Sequence, residues 1–189
     1  MPFEFRGKPL DLRNVVIDAE RVRLKAITQE YTEEIYENFT PEITKYMMPA
    51  PAKEIAETKH FVELALSGFD SGEEFHFVIC RRDGDEFLGI CGLHERGRPT
   101  EPEVGIWLKK AAHGNGYGFE AIVALKAWVE SYIVFERLIY PVDRRNIPSR
   151  RIPEELGGRI IEERKVVSMV GAELDEIVYG IDRVAPVGS

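Results

Sequence analysis

His113-Gly114-Asn115-Gly116-Tyr117-Gly118 sets three glycines at alternate positions between a strand-like run, Glu103 to Leu108, and a helix-like run, Phe119 to Ile133. A helix that begins here starts with backbone N–H groups that have no intrahelical acceptor, and glycine clears side chains away from them. Free donors and the positive end of the helix dipole then point the same way, which is the chemistry of an anion site. The same residues also suit a tight strand-to-helix turn with no ligand. Two well-known phosphate loops are excluded by spacing. A Walker A loop needs Lys-Ser/Thr after its last glycine, and Phe119-Glu120 stands there. A dinucleotide fingerprint sets its third glycine three residues after the second, and Gly118 comes one residue early.

The elements that would position this loop are legible from periodicity. Tyr117, Ala121, Ala124, Leu125, Trp128 and Tyr132 recur at three- and four-residue spacing, as in a helix that buries one broad face. Upstream, Arg21 to Ile27 alternates polar and apolar and reads as a half-buried strand. Thr28 is placed to cap a helix whose face carries Tyr31, Ile35 and Phe39. Thr40 to Pro51 reads as loop or short helical turns, with Tyr46, Met47 and Met48 unusually apolar for a loop. Lining a ligand cleft would explain them, and so would packing across the neighbouring helices. Lys53 to Ser67 reads as a helix with a stripe of Ile55, His60 or Phe61, Leu64 and Leu66, ended by Gly68 to Gly72.

A hairpin follows, Phe75 to Cys80 and Phe87 to Leu93 about the turn Asp83-Gly84, then a polar loop, Arg96 to Pro102, and a third strand, Glu103 to Leu108. Arg137 to Val142 reads as a strand in which Pro141 must lie at an edge or where the ladder stops. Asn146 to Leu156 is helix-prone and stopped by Gly157-Gly158; Ile160 to Val167 and Leu174 to Ile181 are final strands around Gly171. The reading is one α/β (α+β) domain over 21–183. An N-terminal extension, 1–20, would lie on the surface, and a short tail, 184–189, would close the chain.

Composition narrows the classes. The 189 residues suffice for one well-buried domain, and 44% hydrophobic with 31% charged residues is ordinary for a soluble protein. No apolar run is long enough to span a bilayer, and Met1 to Arg6 lacks a signal-peptide layout, so a cytoplasmic location is the default expectation. A net charge of -8 argues against a nucleic-acid partner and suits a cationic one such as an amine. Cys80 and Cys91 read as small core residues, and no Cys/His cluster has metal-ligand spacing, so no metal is expected.

With its elements in this order, the chain resembles the GNAT N-acetyltransferase family, and within it the ribosomal-protein N-terminal acetyltransferase branch, over residues 21–182. The family's acyl-CoA loop runs Arg/Gln-x-x-Gly-x-Gly/Ala, matched by His113 to Gly118 except at its first position. Glu120-Ala121-Ile122 stands where the branch has Glu-Ala-Leu; Asp143, Asn146 and Ser149 match its Asp-x-x-Asn-x-x-Ser, and Leu156-Gly157 its Leu-Gly pair. Pro153 departs from the pattern and would kink or shorten the helix after Ser149, which leaves the placement of Ser149 open.

The resemblance implies a GNAT fold, a mixed, mostly antiparallel twisted sheet of about six to seven strands with about four helices. It also implies acetyl-CoA as cosubstrate, without a metal. Backbone amides of His113, Gly114, Asn115, Gly116, Tyr117 and Gly118 would hold the pyrophosphate, with Lys109, Lys110, Arg150 and Arg151 as nearby charge or as solvated surface. The pantetheine arm would pair with the backbone at Ile106, Trp107 and Leu108, one N–H of which would polarise the thioester carbonyl. Trp107 itself reads as core or cleft wall.

Acetyl transfer to an amine also needs a proton acceptor, because a free amine of pKa ~8 to ~10 is mostly protonated at neutral pH. Glu103 is the first candidate base, unless it is only an exposed strand carboxylate, and His94 is the second; His60 and His76 are weaker. Ser149 or Tyr140 would protonate the leaving thiolate, and Asn146 would hold the cofactor arm, cap the helix that follows, or both. No cysteine falls in these motifs, which favours direct attack in a ternary complex. The acceptor would be a protein N-terminal α-amine or a small-molecule amine, and the protein a monomer or homodimer. The competing readings are a non-catalytic acyl-CoA sensor or scaffold, and a structural domain with an empty glycine turn.

Overall fold

Phe75, Phe77 and Ile79 alternate along one strand and are all fully buried, as expected where one face of a pleat lies in the core. That strand sits inside a sheet of eight. The computed structural model describes residues 2–7 and 11–183; the expected tail, 184–189, lies outside the described residues. The strands are β1 (Val16–Asp18), β2 (Val22–Ala26), β3 (Glu74–Arg81), β4 (Phe87–His94), β5 (Glu103–Leu108), β6 (Arg137–Asp143), β7 (Arg159–Val167) and β8 (Glu173–Asp182). The helices are α1 (Thr32–Asn38), α2 (Ile55–Ser71), α3 (Tyr117–Tyr132) and α4 (Ile147–Glu155). The sheet order is β1-β2-β3-β4-β5-β6-β8-β7, antiparallel throughout except between β5 and β6.

The sheet has one strand more than expected, in the stretch read as a surface extension. β1 pairs with β2 through Val16↔Lys25, Ile17↔Leu24 and Asp18↔Arg23, and Ala19 N–H donates to Val22 carbonyl in the turn between them (2.9 Å). Ile17 and Phe3 are buried. Three residues are too few to display an alternation, so only the partner strand defines this one.

Of the expected face α3 buries Ala121, Leu125 and Trp128, together with Ile122 and Val129, whereas Tyr132 at its end is exposed. Each buried Ile, Leu or Val contributes about 1.5–3 kcal/mol. That outweighs the roughly 1 kcal/mol that a glycine costs near a helix start. Trp128 packs edge-on against Phe75 and Phe77, which ties α3 to the middle of the sheet.

Two helical expectations are corrected. The stripe of α2 is Thr58, Val62, Ala65 and Phe69, whereas Ile55 and Leu64 face solvent. α2 also runs through Gly68 to a left-handed Gly72. Gly68 is needed for close approach: an added Cβ would stand 2.7 Å from the Glu74 carbonyl oxygen. Thr28 occupies the N-cap of a 3-10 turn, Gln29–Tyr31, without a side-chain capping bond; the turn is tied instead by Thr32 Oγ1 donating to Gln29 Oε1 (2.8 Å).

Candidate active site

β5 and β6 meet in a single parallel pair, Glu103↔Ile139, and then diverge. Ile139 N–H donates across this junction to Pro102 carbonyl (2.9 Å). Two residues on, the nitrogen on the same side of the strand belongs to Pro141, which has no hydrogen to donate. Pro141 thus lies where the ladder stops, and its other side still pairs with Val178 of β8. The gap is a cavity of about 140 Å³. Glu103, Gly105 and Ile106 wall it from β5, Tyr140 to Asp143 from β6, Asn146 and Ser149 from α4, and Tyr46 to Pro49 from the apolar loop. That loop therefore lines a cleft. A wider depression of about 580 Å³ lies between α1 and the start of α2 and includes no residue of β5 or β6.

The glycine loop enters α3 from a short 3-10 turn, Lys110–Ala112. Gly114 (φ +76°) and Gly116 (φ +77°) are left-handed, a conformation that glycine adopts without the penalty a Cβ would bring. Asn115 Nδ2 donates to the carbonyls of His113 (2.9 Å) and Ala112 (3.3 Å). His113 Nε2 donates to Leu108 carbonyl (2.9 Å), tying the loop back to the end of β5. The N–H groups of Tyr117, Gly118 and Phe119 open α3 and have no intrahelical acceptor. A Cβ at Gly118 would meet Leu108, Ile106 and Ile152 at 3.5–3.6 Å, so this glycine is closely packed rather than strained.

Arg21, which stands 94 residues before Asn115, is the loop's cationic partner. Its Nη1 donates to Asn115 carbonyl (3.0 Å), its Nε to Glu120 Oε2 (2.8 Å), and its guanidinium covers the Tyr117 ring at 5.1 Å. Burial pushes the Glu120 carboxyl up, but hydrogen bonds from Arg21 and Val22 prevail and hold it below its ordinary value. The cations expected near the phosphates are engaged elsewhere, Lys109 with Glu86, Lys110 with Glu42 and Arg150 with Glu154; Arg151 is exposed. Sequence spacing offers no sign of Arg21, because it reaches the loop only through the packing of α3 against β2.

The catalytic candidates fall into two groups. Tyr140 Oη and Ser149 Oγ are 2.9 Å apart at the cavity wall. Burial pushes the Tyr140 phenol well above its ordinary value, against the opposing effect of its bond to Ser149, so it stays protonated. Asn146 Oδ1 accepts from Ser149 N–H (3.4 Å) and caps α4. Pro153 lies inside α4, a turn after Ser149, and removes the donor that would have bonded Ser149 carbonyl. The Ser149 side chain nevertheless faces Tyr140.

Glu103 lines the cavity with its side chain 24% exposed, 3.7 Å from Arg96 Nε. His94 is its partner across the β4–β5 ladder. The His94 ring sits behind the wall, its Nε2 3.7 Å from where a Gly105 Cβ would be and its Nδ1 2.5 Å from Glu74 Oε1. Trp107 packs on Phe39 (4.9 Å) and Phe87 (5.9 Å), as a wall. His60 is exposed, whereas His76 is mostly buried beside His94, and burial pushes its imidazole pKa down.

Asp143, known from the sequence only as part of a spaced motif, anchors the far rim. Its fully buried carboxylate accepts from Arg145 Nε (2.8 Å), Arg145 Nη2 (2.7 Å) and Asp175 N–H (3.0 Å). The Arg145 guanidinium holds this carboxyl below its ordinary value against the push of burial. Arg145 also covers the Tyr46 ring at 5.3 Å, which joins this rim to the apolar loop.

A mostly antiparallel sheet opened at one parallel junction, with a glycine loop leading into a helix beside the gap, defines an acyl-CoA-handling acetyltransferase fold. Residues 21–159 match the acetyltransferase (GNAT) domain family, and the chain belongs to it. It is 25% identical over 142 residues to the uncharacterized N-acetyltransferase p20 of Bacillus licheniformis, covering 72% of this chain and 78% of that one. The structure is similar to the ribosomal alpha-N-protein acetyltransferase RimL in complex with coenzyme A, with a TM-score of 0.77, 14% identity and 89% and 98% of the two chains covered. It is also similar to the microcin self-immunity acetyltransferase MccE in complex with acetyl-CoA and AMP, with a TM-score of 0.76, 19% identity and 86% and 93% covered. No helix among the described residues is long and apolar enough to cross a membrane.

Proposed function

We propose that this acetyltransferase, acting as one catalytic domain over 21–183, moves an acetyl group from acetyl-CoA to a primary amine by direct attack in a ternary complex. The observation that carries the reading is the single β5–β6 pair beside the glycine loop. An acyl-pantetheine arm can fill such a gap as an extra strand, with its pyrophosphate at the start of α3. CoA and acetyl-CoA in the two structurally similar enzymes support the choice of cosubstrate.

In this mechanism Glu103 takes the proton from the ammonium form of the acceptor. The freed lone pair attacks the thioester carbonyl, and a backbone N–H near Ile106 to Leu108 steadies the oxyanion. As the N–C bond forms and the C–S bond breaks, the electron pair leaves with sulfur. The Tyr140–Ser149 hydroxyl pair supplies a proton to the thiolate and is restored by the second proton, which the acylated nitrogen sheds as the neutral amide forms. A thiol has pKa about 8.5, so this last step contributes modestly. The acceptor enters between Tyr46 to Pro49 and Glu103. Of the lining carboxylates, Asp143 and Glu176 are bonded by Arg145 and Arg164, which leaves Glu103 to face the acceptor. Its charge favours a cationic amine, either a protein N-terminus, as RimL's name states for that enzyme, or a small-molecule amine.

Calorimetric titration with acetyl-CoA, with ATP and NAD as controls, tests the reading, followed by thiol release with amine and peptide panels. Binding of acetyl-CoA alone and amine-dependent thiol release are expected. Binding without turnover by any amine would leave a CoA sensor; folded protein that binds no acetyl-CoA would overturn the proposal.

A further inference from the structure

Glu74 and His76 leave β3 on the same face of the sheet, and the ladder pairs them with His94 and Gly92 of β4. Gly92 is what lets the two imidazoles meet. A Cβ there would stand 2.7 Å from His94 Nε2 and 3.4 Å from His76 Nδ1, so a larger residue would drive the rings apart. The rings lie edge to face with centroids 5.0 Å apart, and Phe61 closes over His76 at 5.1 Å. One ligand atom from each of Glu74, His76 and His94 lies within 4.8 Å of the others.

We infer that Glu74, His76 and His94 form a three-ligand site for a divalent transition metal, zinc by its donor set, at the ends of β3 and β4. Two ligands of a tetrahedral zinc ion, each about 2.0–2.1 Å from it, stand roughly 3.3 Å apart. His76 Nε2 and Glu74 Oε2 are 3.7 Å apart, too far for a hydrogen bond and close to that spacing. His94 Nδ1 and Glu74 Oε1, at 2.5 Å, need to part by less than about 1 Å to share an ion. Two nearly buried imidazoles and a carboxylate that is 35% exposed make a donor set typical of zinc, with water as the fourth ligand. Arg96 Nη1 stands 3.7 Å from Glu74 Oε1, but its side chain is 56% exposed and is free to turn into water as a cation enters.

The site is independent of the acetyl-transfer proposal, yet it bears on it. A metal held by His94 Nδ1 leaves the proton on Nε2, so the loaded protein cannot use His94 as a base and depends on Glu103.

The test uses the full chain stripped of metal and titrated with Zn²⁺ against a chromophoric chelator, with Co²⁺ as a spectroscopic probe. One zinc per chain and visible Co²⁺ bands of tetrahedral intensity are expected. His76→Gln should weaken zinc binding at least about tenfold, the smallest effect expected even for a group behind the ligands. Glu74→Gln serves as the second variant should His76→Gln misfold by circular dichroism, and His60→Gln, on an exposed histidine, should change nothing. Failure to bind zinc at micromolar free metal overturns the site, as does stoichiometric binding that survives both His76→Gln and Glu74→Gln.

Discussion

Tyr140 Oη and Ser149 Oγ lie 2.9 Å apart, joining β6 to the first turn of α4 at the wall of the cavity. If this pair protonates the leaving thiolate, Tyr140→Phe should lower kcat by up to about tenfold, with little change in the KM for acetyl-CoA. Ser149→Ala should cost less, and the double variant should fall short of the product of the two, because the hydroxyls act through one hydrogen bond. Steady-state thiol release measures all three. A raised KM at constant kcat would assign the pair to binding instead.

Gly116 and Gly118 should respond in opposite ways. Valine at Gly116 must adopt φ +77° and places its Cβ 3.4 Å from Arg21 Nη2. Gly116→Val should therefore weaken acetyl-CoA binding tenfold or more by calorimetry, since about 1.4 kcal/mol of strain or lost contact is enough for that. Gly118→Ala meets only ordinary contacts inside a helix. Its stability in denaturant should be unchanged or raised by up to about 1 kcal/mol.

Arg21 bonds both the loop carbonyl of Asn115 and the carboxylate of Glu120 from an exposed position. Arg21→Ala should lower stability by less than about 1 kcal/mol, as for other exposed ion pairs. It should nevertheless weaken acetyl-CoA binding. Arg21→Lys should not restore affinity, because one ammonium cannot reproduce the guanidinium fork or its cover over Tyr117. Calorimetry on both variants, beside denaturant melts, separates the two effects.

The buried Asp143 carboxyl is held below its ordinary value of 3.8. Its contribution to stability is therefore fully present above that value and is lost as pH falls through the lower folded-state pKa. Asp143→Asn should be clearly less stable than the parent protein at neutral pH, and the gap should narrow progressively as pH falls below about 4. Denaturant melts from pH 7 to pH 3 read this directly; a gap that stays constant would remove Asp143 from the acid response.

Local signals account for what could be read before folding. β5 runs from Glu103 to Leu108 as its pattern indicates, and the glycine spacing marks the start of α3. Pro141 announced a broken ladder because a missing N–H is a property of one residue. The α2 stripe departs from its hydrophobic pattern because Ile55 and Leu64, though apolar, face solvent. Hydrophobicity there competed with small residues, Thr58 and Ala65, which set the closely packed side.

Residue order by itself determined the element types, the glycine turn and the spaced Asp143, Asn146 and Ser149, since each depends on neighbours within about one or two helical turns. Tertiary structure alone decided that Arg21 covers the loop, that Tyr140 meets Ser149, and that Glu74, His76 and His94 share one face. The first two arise from helices packed on strands, α3 on β2 and α4 on β6, and the third from strand register. A one-residue slip in that register would turn the same side chains to the opposite face of the sheet.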